Sequence, residues 1–240
     1  MVTSTNPSAG PTREPAKGPV HGQLNGQANG LLSAVRETHD RLAALLAAAR
    51  EMGVPRGTPR AAHERIDAFL ATACRHLHAV DAVLLPAARR ELPDGSALVH
   101  AHLRSVKEIE VMLAHVKAHQ YGSVYETSFA WPRIWSEVET AMTEHRHLEE
   151  ELCGRMAERL DEARLAELAD ALLSAEPVGP TRPHPYTPHT GLAGLVARRV
   201  MLTADRIWDA FEGRMVPEPE HEPKREPGRV AQYFLADPRF

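Results

Sequence analysis

The sequence predicts an all-α protein built on an antiparallel four-helix bundle, with additional C-terminal helices and disordered termini. Three observations carry that expectation. Apolar residues recur at 3.6-type spacing, and period-two alternation is absent. Aromatics make up only 5% of the 240 residues against 43% apolar, so Ala, Leu and Val build the core, which suits slender packed helices better than a sheet. Proline avoids the middle of the chain: between Ala61 and Ala175 it occurs only at Pro86, Pro93 and Pro132, whereas four fall between Pro7 and Pro19 and five between Pro177 and Pro188.

The elements follow in chain order. Residues 1–29, rich in Pro, Gly, Ser, Thr and Asn, bury too little surface to fold and read as a disordered leader. A first helix, Leu31 to Met52, closes at Gly53 and the turn Val54 to Pro59. A second runs from Ala61 to about Leu92, with Pro86 expected to kink or stop it early. Asp94 caps a third, reaching about Tyr121. After a loop from Gly122 to Trp131, Pro132 suits the first turn of a fourth helix ending near Leu160. Asp161 to Ala175 adds a short amphipathic helix, so the bundle domain spans residues 30–175. Residues 176–212 hold a Pro-rich segment and a last helix, Leu192 to Glu212, capped by Thr190 and packing on the bundle through Leu195, Val196, Arg199, Leu202, Ile207 and Phe211. Residues 213–240 read as a flexible tail, with Tyr233, Phe234 and Phe240 as its docking candidates.

Composition excludes several classes of protein. The apolar content suffices for a core without disulfides, and Cys74 and Cys153 form no CxxC, which excludes a secreted disulfide scaffold and leaves two buried, inert thiols. A formal charge of −4 with mixed signs argues against a nucleic-acid partner. No uncharged apolar run approaches the ~18 residues of a membrane span, and no secretory h-region opens the chain. The expected location is therefore cytoplasmic, without nucleic-acid or membrane partners. HExxH, phosphate-binding Gly loops and a Gly-x-Ser-x-Gly elbow are missing, and no catalytic residue is assigned.

The 14 histidines are the informative feature. Taken at 3,4 spacing, the core seams read Leu32, Val35, His39, Leu42, Leu46; then Ile66, Phe69, Ala73, His76, Val80, Val83; then Val99, His102, Val106, Ile109, Leu113, Val116; then Ile134, Val138, Met142 or Ala141, His145, Glu149, Leu152. Each seam carries one histidine. In the pairs His76/His78, His100/His102 and His145/His147 the two rings lie about 200° apart around the helix, so His78, His100 and His147 are expected in solvent. His115 and His119 are an i,i+4 pair, but His119 lies about 25 Å beyond His102 along the axis. Helix lengths bring the four seam histidines to similar depth. Neutral imidazoles need donor and acceptor partners that these apolar seams lack, and a metal ion resolves the conflict by taking a lone pair from each ring. Glu149, one turn after His145, adds a carboxylate. Leu42, Leu46, Val80, Val83 and Leu152 are the expected pocket lining.

The ordered set His39, His76, His102 and His145 with Glu149, together with "HLHAVDAVLLP" (His76 to Pro86), "EHRHLEEEL" (Glu144 to Leu152) and "TRPHPYTPHTG" (Thr181 to Gly191), resembles the hemerythrin-like, HHE cation-binding domains of bacterial type. The resemblance covers Leu31 to Phe211. It implies a non-haem iron protein holding one or two ions (di-iron by the family pattern) that binds dioxygen or another diatomic, or senses or handles iron. Iron-dependent peroxide or nitric-oxide chemistry rests on that analogy alone. The chain departs from the pattern at Val80, where the family has glutamate. Three remedies stay open: Asp81, about 100° further round the helix, reaches in; His184 or His189 caps the open end; or a single metal binds. The alternative reading is a helical interaction or structural module that has lost its metal.

Overall fold

The computed structural model describes residues 30–51, 59–121, 130–187 and 200–209, with 1, 214 and 216–218. Its described secondary structure is all helical: α1 Gly30–Glu51, α2 Pro59–Glu91, α3 Gly95–Tyr121, α4 Trp131–Ala157, α5 Glu162–Ala175 and a 3-10 turn at Glu176–Val178. A further helix, α6, covers 200–209. The expected leader beyond Met1, the 219–240 tail with its aromatics, His189 and the start of the last helix lie outside the described residues.

The helix ends follow local chemistry. Asp161 caps α5, its carboxylate accepting from Arg164 N at 2.8 Å, which satisfies one of the first-turn amides that no helix can pair internally. Pro132 sits in the first turn of α4, where its missing N–H costs nothing. Pro86 does not stop α2, which continues to Glu91. Its ring is exposed, so water can take the carbonyl that the missing N–H leaves unpaired. Asp94 supplies backbone carbonyl bonds to Ala97 and Leu98 at the start of α3, while its carboxylate takes Arg155 of α4 at 2.7 Å. Only glycine fits at position 95, because a Cβ there would lie 2.0 Å from the Ala88 carbonyl oxygen. The α2–α3 turn closes on that contact.

Helix α1 packs on α2, α4 and α5, α2 also on α3, and α3 on α4. The interior divides into two apolar clusters. One holds Leu42, Leu46, Phe69, Leu70, Val106, Leu113 and Val138; the other holds Leu31, Val35, Val80, Leu84, Val99, Leu152 and Met156. α1 and α3 run from the second cluster into the first, and α2 and α4 run from the first into the second. Each helix crosses between them at its seam histidine. Within α2, the stretch His63–Glu91 is apolar and long enough to cross a membrane by length and composition, but 67% of its apolar window is buried inside the fold. That burial is what a central core helix requires.

The last helix reverses one expectation. Ile207 is 56% exposed, and the face of α6 turned inward carries Asp205 and Asp209, at 2% and 7% exposure. Asp205 accepts from the backbone amides of Thr181 and Arg182 and from His184 Nε2. Asp209 accepts from the Thr181 hydroxyl, Arg182 Nε and Arg214 Nη1. Among the described residues, charge pairing by Asp205 and Asp209 attaches this helix, with Leu202 half-buried; Leu195, Val196, Arg199 and Phe211 lie outside the described residues.

Candidate metal centre

His39, His76, His102, His145 and Glu149 meet in one layer between the two apolar clusters, none of them more than 3% exposed. Their ring centroids are close: 5.0 Å for His39–His76, 6.1 Å for His39–His145 and 4.6 Å for His102–His145. Glu149 lies at the centre. Its Oε2 is 2.7 Å from His39 Nε2 and 3.0 Å from His76 Nε2, while its Oε1 is 2.9 Å from His145 Nε2 and 3.8 Å from His102 Nε2. Two groups of three ligand atoms result, His39–His76–Glu149 and His102–His145–Glu149, each with its atoms within 4.8 Å of one another. One carboxylate thus serves both groups through different oxygens.

The layer is unevenly satisfied. His145 Nε2 and Glu149 Oε1 face each other at 2.9 Å without hydrogen-bond geometry, and both nitrogens of His102 are buried with no hydrogen-bond partner. Such atoms are costly in an apolar interior. All four atoms belong to one of the two groups, and three of them, His102 Nε2, His145 Nε2 and Glu149 Oε1, are its ligand atoms. A cation held by His102, His145 and Glu149 would satisfy these atoms. Nitrogen-rich sets with one carboxylate suit iron, zinc or copper, and two histidines with one carboxylate leave coordination positions open.

A further residue, which sequence reasoning missed, orients the layer. Glu176, in the turn after α5, accepts from His76 Nδ1 at 3.0 Å, from Thr38 Oγ1 at 3.4 Å and from Arg41 Nη2 at 3.3 Å. A Nδ1–H donated to carboxylate points the opposite nitrogen, Nε2, at Glu149. Gly179 lets this turn lie close on α2, since a Cβ there would be 3.0 Å from the Arg75 Cα. Ser105 of α3 is similarly placed against His145 Nδ1 at 3.1 Å.

Electrostatics follow from burial and the single central charge. Burial lowers the affinity of His76 for its proton, but the Glu149 and Glu176 carboxylates outweigh it and hold the imidazole at about 10. Burial pulls His102 down to about 3, with the His145 ring adding to the effect. Burial likewise lowers His39. Burial disfavours the charge of Glu149, yet His76 and His145 drive its carboxyl well below the usual range. Without a metal, the His76 imidazolium faces the Glu149 carboxylate, and burial disfavours a charge on His39 and His102.

Several expected participants stand elsewhere. Asp81 is 4% exposed but lines a small pocket with Cys74, His78, Glu110, Arg182 and His184, because the helix keeps Val80 inward and turns its neighbour about 100° away. His184 is held by Asp205 at 3.0 Å, so it does not cap the layer. Leu42 and Leu46 do line a cleft of about 220 Å³ that reaches His39 between α1 and α4, with Met142, Thr143 and Arg146. Val80, Val83 and Leu152 instead pack in the second apolar cluster. His100 and His147 are exposed as expected, whereas His78 is half-buried. His119 stacks on Trp131 at 4.2 Å rather than joining His115 in a site. Both cysteines are free and buried, and burial raises both thiols.

Comparison of the chain with family models, with curated proteins and with solved structures finds no match.

Proposed function

We propose that the protein is a hemerythrin-like metal carrier: an antiparallel four-helix bundle that holds two iron ions in its interior, one by His39 and His76, the other by His102 and His145, with Glu149 shared between them. The single observation that carries this reading is the central carboxylate, whose two oxygens face two histidine pairs. Alternate passage of α1 to α4 between the apolar clusters supports the bundle topology. The shared Glu149 supports an answer to the missing glutamate at Val80: one carboxylate serves both ions, without Asp81, His184 or a single-metal arrangement. Bound iron would supply redox chemistry and open positions for a small ligand such as dioxygen. The chain's own part is to aim four Nε2 lone pairs, keep them dry and hold the bridging charge. The cleft at His39 would admit the ligand, its apolar floor of Leu42, Leu46 and Met142 lying beneath a lip of small residues, Ala43, Ala47 and Thr143.

The test is metal content and optical spectrum of the full chain purified anaerobically and reconstituted with ferrous iron. The expected result is two ions per chain, with His39→Ala and His145→Ala each reducing the count. Failure to bind iron, zinc or copper above background would refute the reading.

A second reading, a metal-free interaction module, draws on the His76–Glu149 and His76–Glu176 ion pairs, which balance in charge without a metal once Arg41 on Glu176 is counted. It leaves His102 without partners. Chelator separates the two: it lowers the melting temperature of a metal carrier and leaves that of a metal-free module unchanged.

A further inference from the structure

A cleft of about 270 Å³, lined by none of the residues of the metal layer, lies between α2, the segment 177–181 and α6. Three arginines line it, Arg75, Arg206 and Arg214, against a single carboxylate, Asp209. That carboxylate is already committed to Thr181, Arg182 and Arg214. Arg75 and Arg206 are largely uncommitted, whereas Arg214 also gives Nε to Asp67 at 3.0 Å and Nη1 to the Thr181 carbonyl at 3.3 Å. Among the described residues Arg206 makes no hydrogen bond or ion pair. Arg75 gives one bond, from Nη1 to the Pro217 carbonyl at 2.9 Å, and its buried Nε has no partner. Arg214 has a side chain 0% exposed, and its Nη2 is also unpartnered.

We propose that this cleft is an oxyanion-binding site, in which Arg75 and Arg206, with Arg214 behind them, hold the phosphate or carboxylate group of a small molecule. Guanidinium groups in a half-buried concavity repel one another and lose hydration, and an oxyanion answers both costs through charge-assisted, often bidentate hydrogen bonds. Burial lowers the proton affinity of the Arg206 guanidinium, as expected of a cation that lacks a counter-charge. The volume exceeds that of a bare ion and falls just short of the ~300 Å³ at which organic ligand pockets begin, so the fitting ligand is a small phosphorylated or carboxylated molecule. The same chemistry has a second source within the chain, since Glu220 and Glu222 follow Pro217 in the sequence.

The experiment is a titration of the full chain with inorganic phosphate at fixed ionic strength, read by calorimetry and by melting temperature, with chloride as the control. Wild type is expected to bind phosphate saturably and to melt higher with it. Arg206→Ala should melt unchanged without phosphate, having no partner to lose, and bind at least about tenfold more weakly. Arg104→Ala, on the exposed face of α3, should bind as wild type. Phosphate binding that emerges only in the Glu220→Gln/Glu222→Gln chain supports the site and assigns its occupant to the chain's own carboxylates. No saturable binding in either chain, or equal binding by Arg206→Ala, overturns the proposal. None of these outcomes depends on the metal layer.

Discussion

Glu176 accepts a hydrogen bond from His76 Nδ1 at 3.0 Å across 100 positions of sequence. The contact ties a turn outside the four long helices to a fully buried imidazole of the layer. It also makes the orientation of His76 depend on how α5 ends.

Replacing Glu176 therefore tests support rather than ligation. Glu176→Gln is expected to lower metal affinity by about 10- to 100-fold, as carboxylates behind ligating histidines commonly do, while metal count at saturation stays the same. Competition with a chelator of known affinity measures it. An unchanged affinity would show that His76 is oriented by its other neighbours.

Glu149 carries both groups, so its loss should not be partial. Glu149→Ala is expected to abolish binding at both positions, unlike either histidine variant. In the metal-free chain it leaves the His76 charge with only one of its two counter-ions, Glu176, and removing one partner of a buried ion pair costs about 3–5 kcal/mol. Urea denaturation of the chelated wild type and variant gives the difference.

The metal-free protein should be most stable near pH 6.5. His76 is raised from 6.5 to about 10, so the folded state holds a proton that the unfolded state releases. That stability is complete below 6.5 and is lost as pH rises through 10. His102 is lowered from 6.5 to about 3, so on acidification the unfolded chain gains a proton first and stability falls from 6.5 downward. Glu149 and Glu176, both depressed below 4.5, steepen that loss below 4.5. Denaturation midpoints of chelated protein across this range should trace a peak, and His76→Gln should flatten its alkaline side.

Gly95→Ala is expected to destabilise by about 1–3 kcal/mol, because its methyl carbon would meet the Ala88 carbonyl at 2.0 Å, and backbone cannot step aside as a side chain would. Thermal melts check this, and the metal count per folded chain should not change.

The seams were legible because burial on a helix repeats at a fixed angle. Val99, His102, Val106, Ile109, Leu113 and Val116 are all buried as their spacing predicts, and the same regularity put His39, His76, His102 and His145 in the interior. Asp81 shows where that logic stops. Its angle away from the seam is readable, but the pocket it enters is made by Glu110 and by residues 180–187, which no local pattern connects to it. Ile207 misled because an apolar residue at helical spacing looks like core, whereas here paired aspartates hold the helix.

What the chain alone determined is which side chains face inward: periodicity is a property of one helix and needs no partner to be read. The tertiary structure decided which inward groups meet. Glu149 became the shared centre of two histidine pairs, Glu176 the support of His76, and Arg75 a neighbour of Arg206. Each of these contacts joins separate elements, and their distances depend on how helices are clocked and staggered against one another. That choice is made by packing of the whole interior, so no single stretch of residues encodes it.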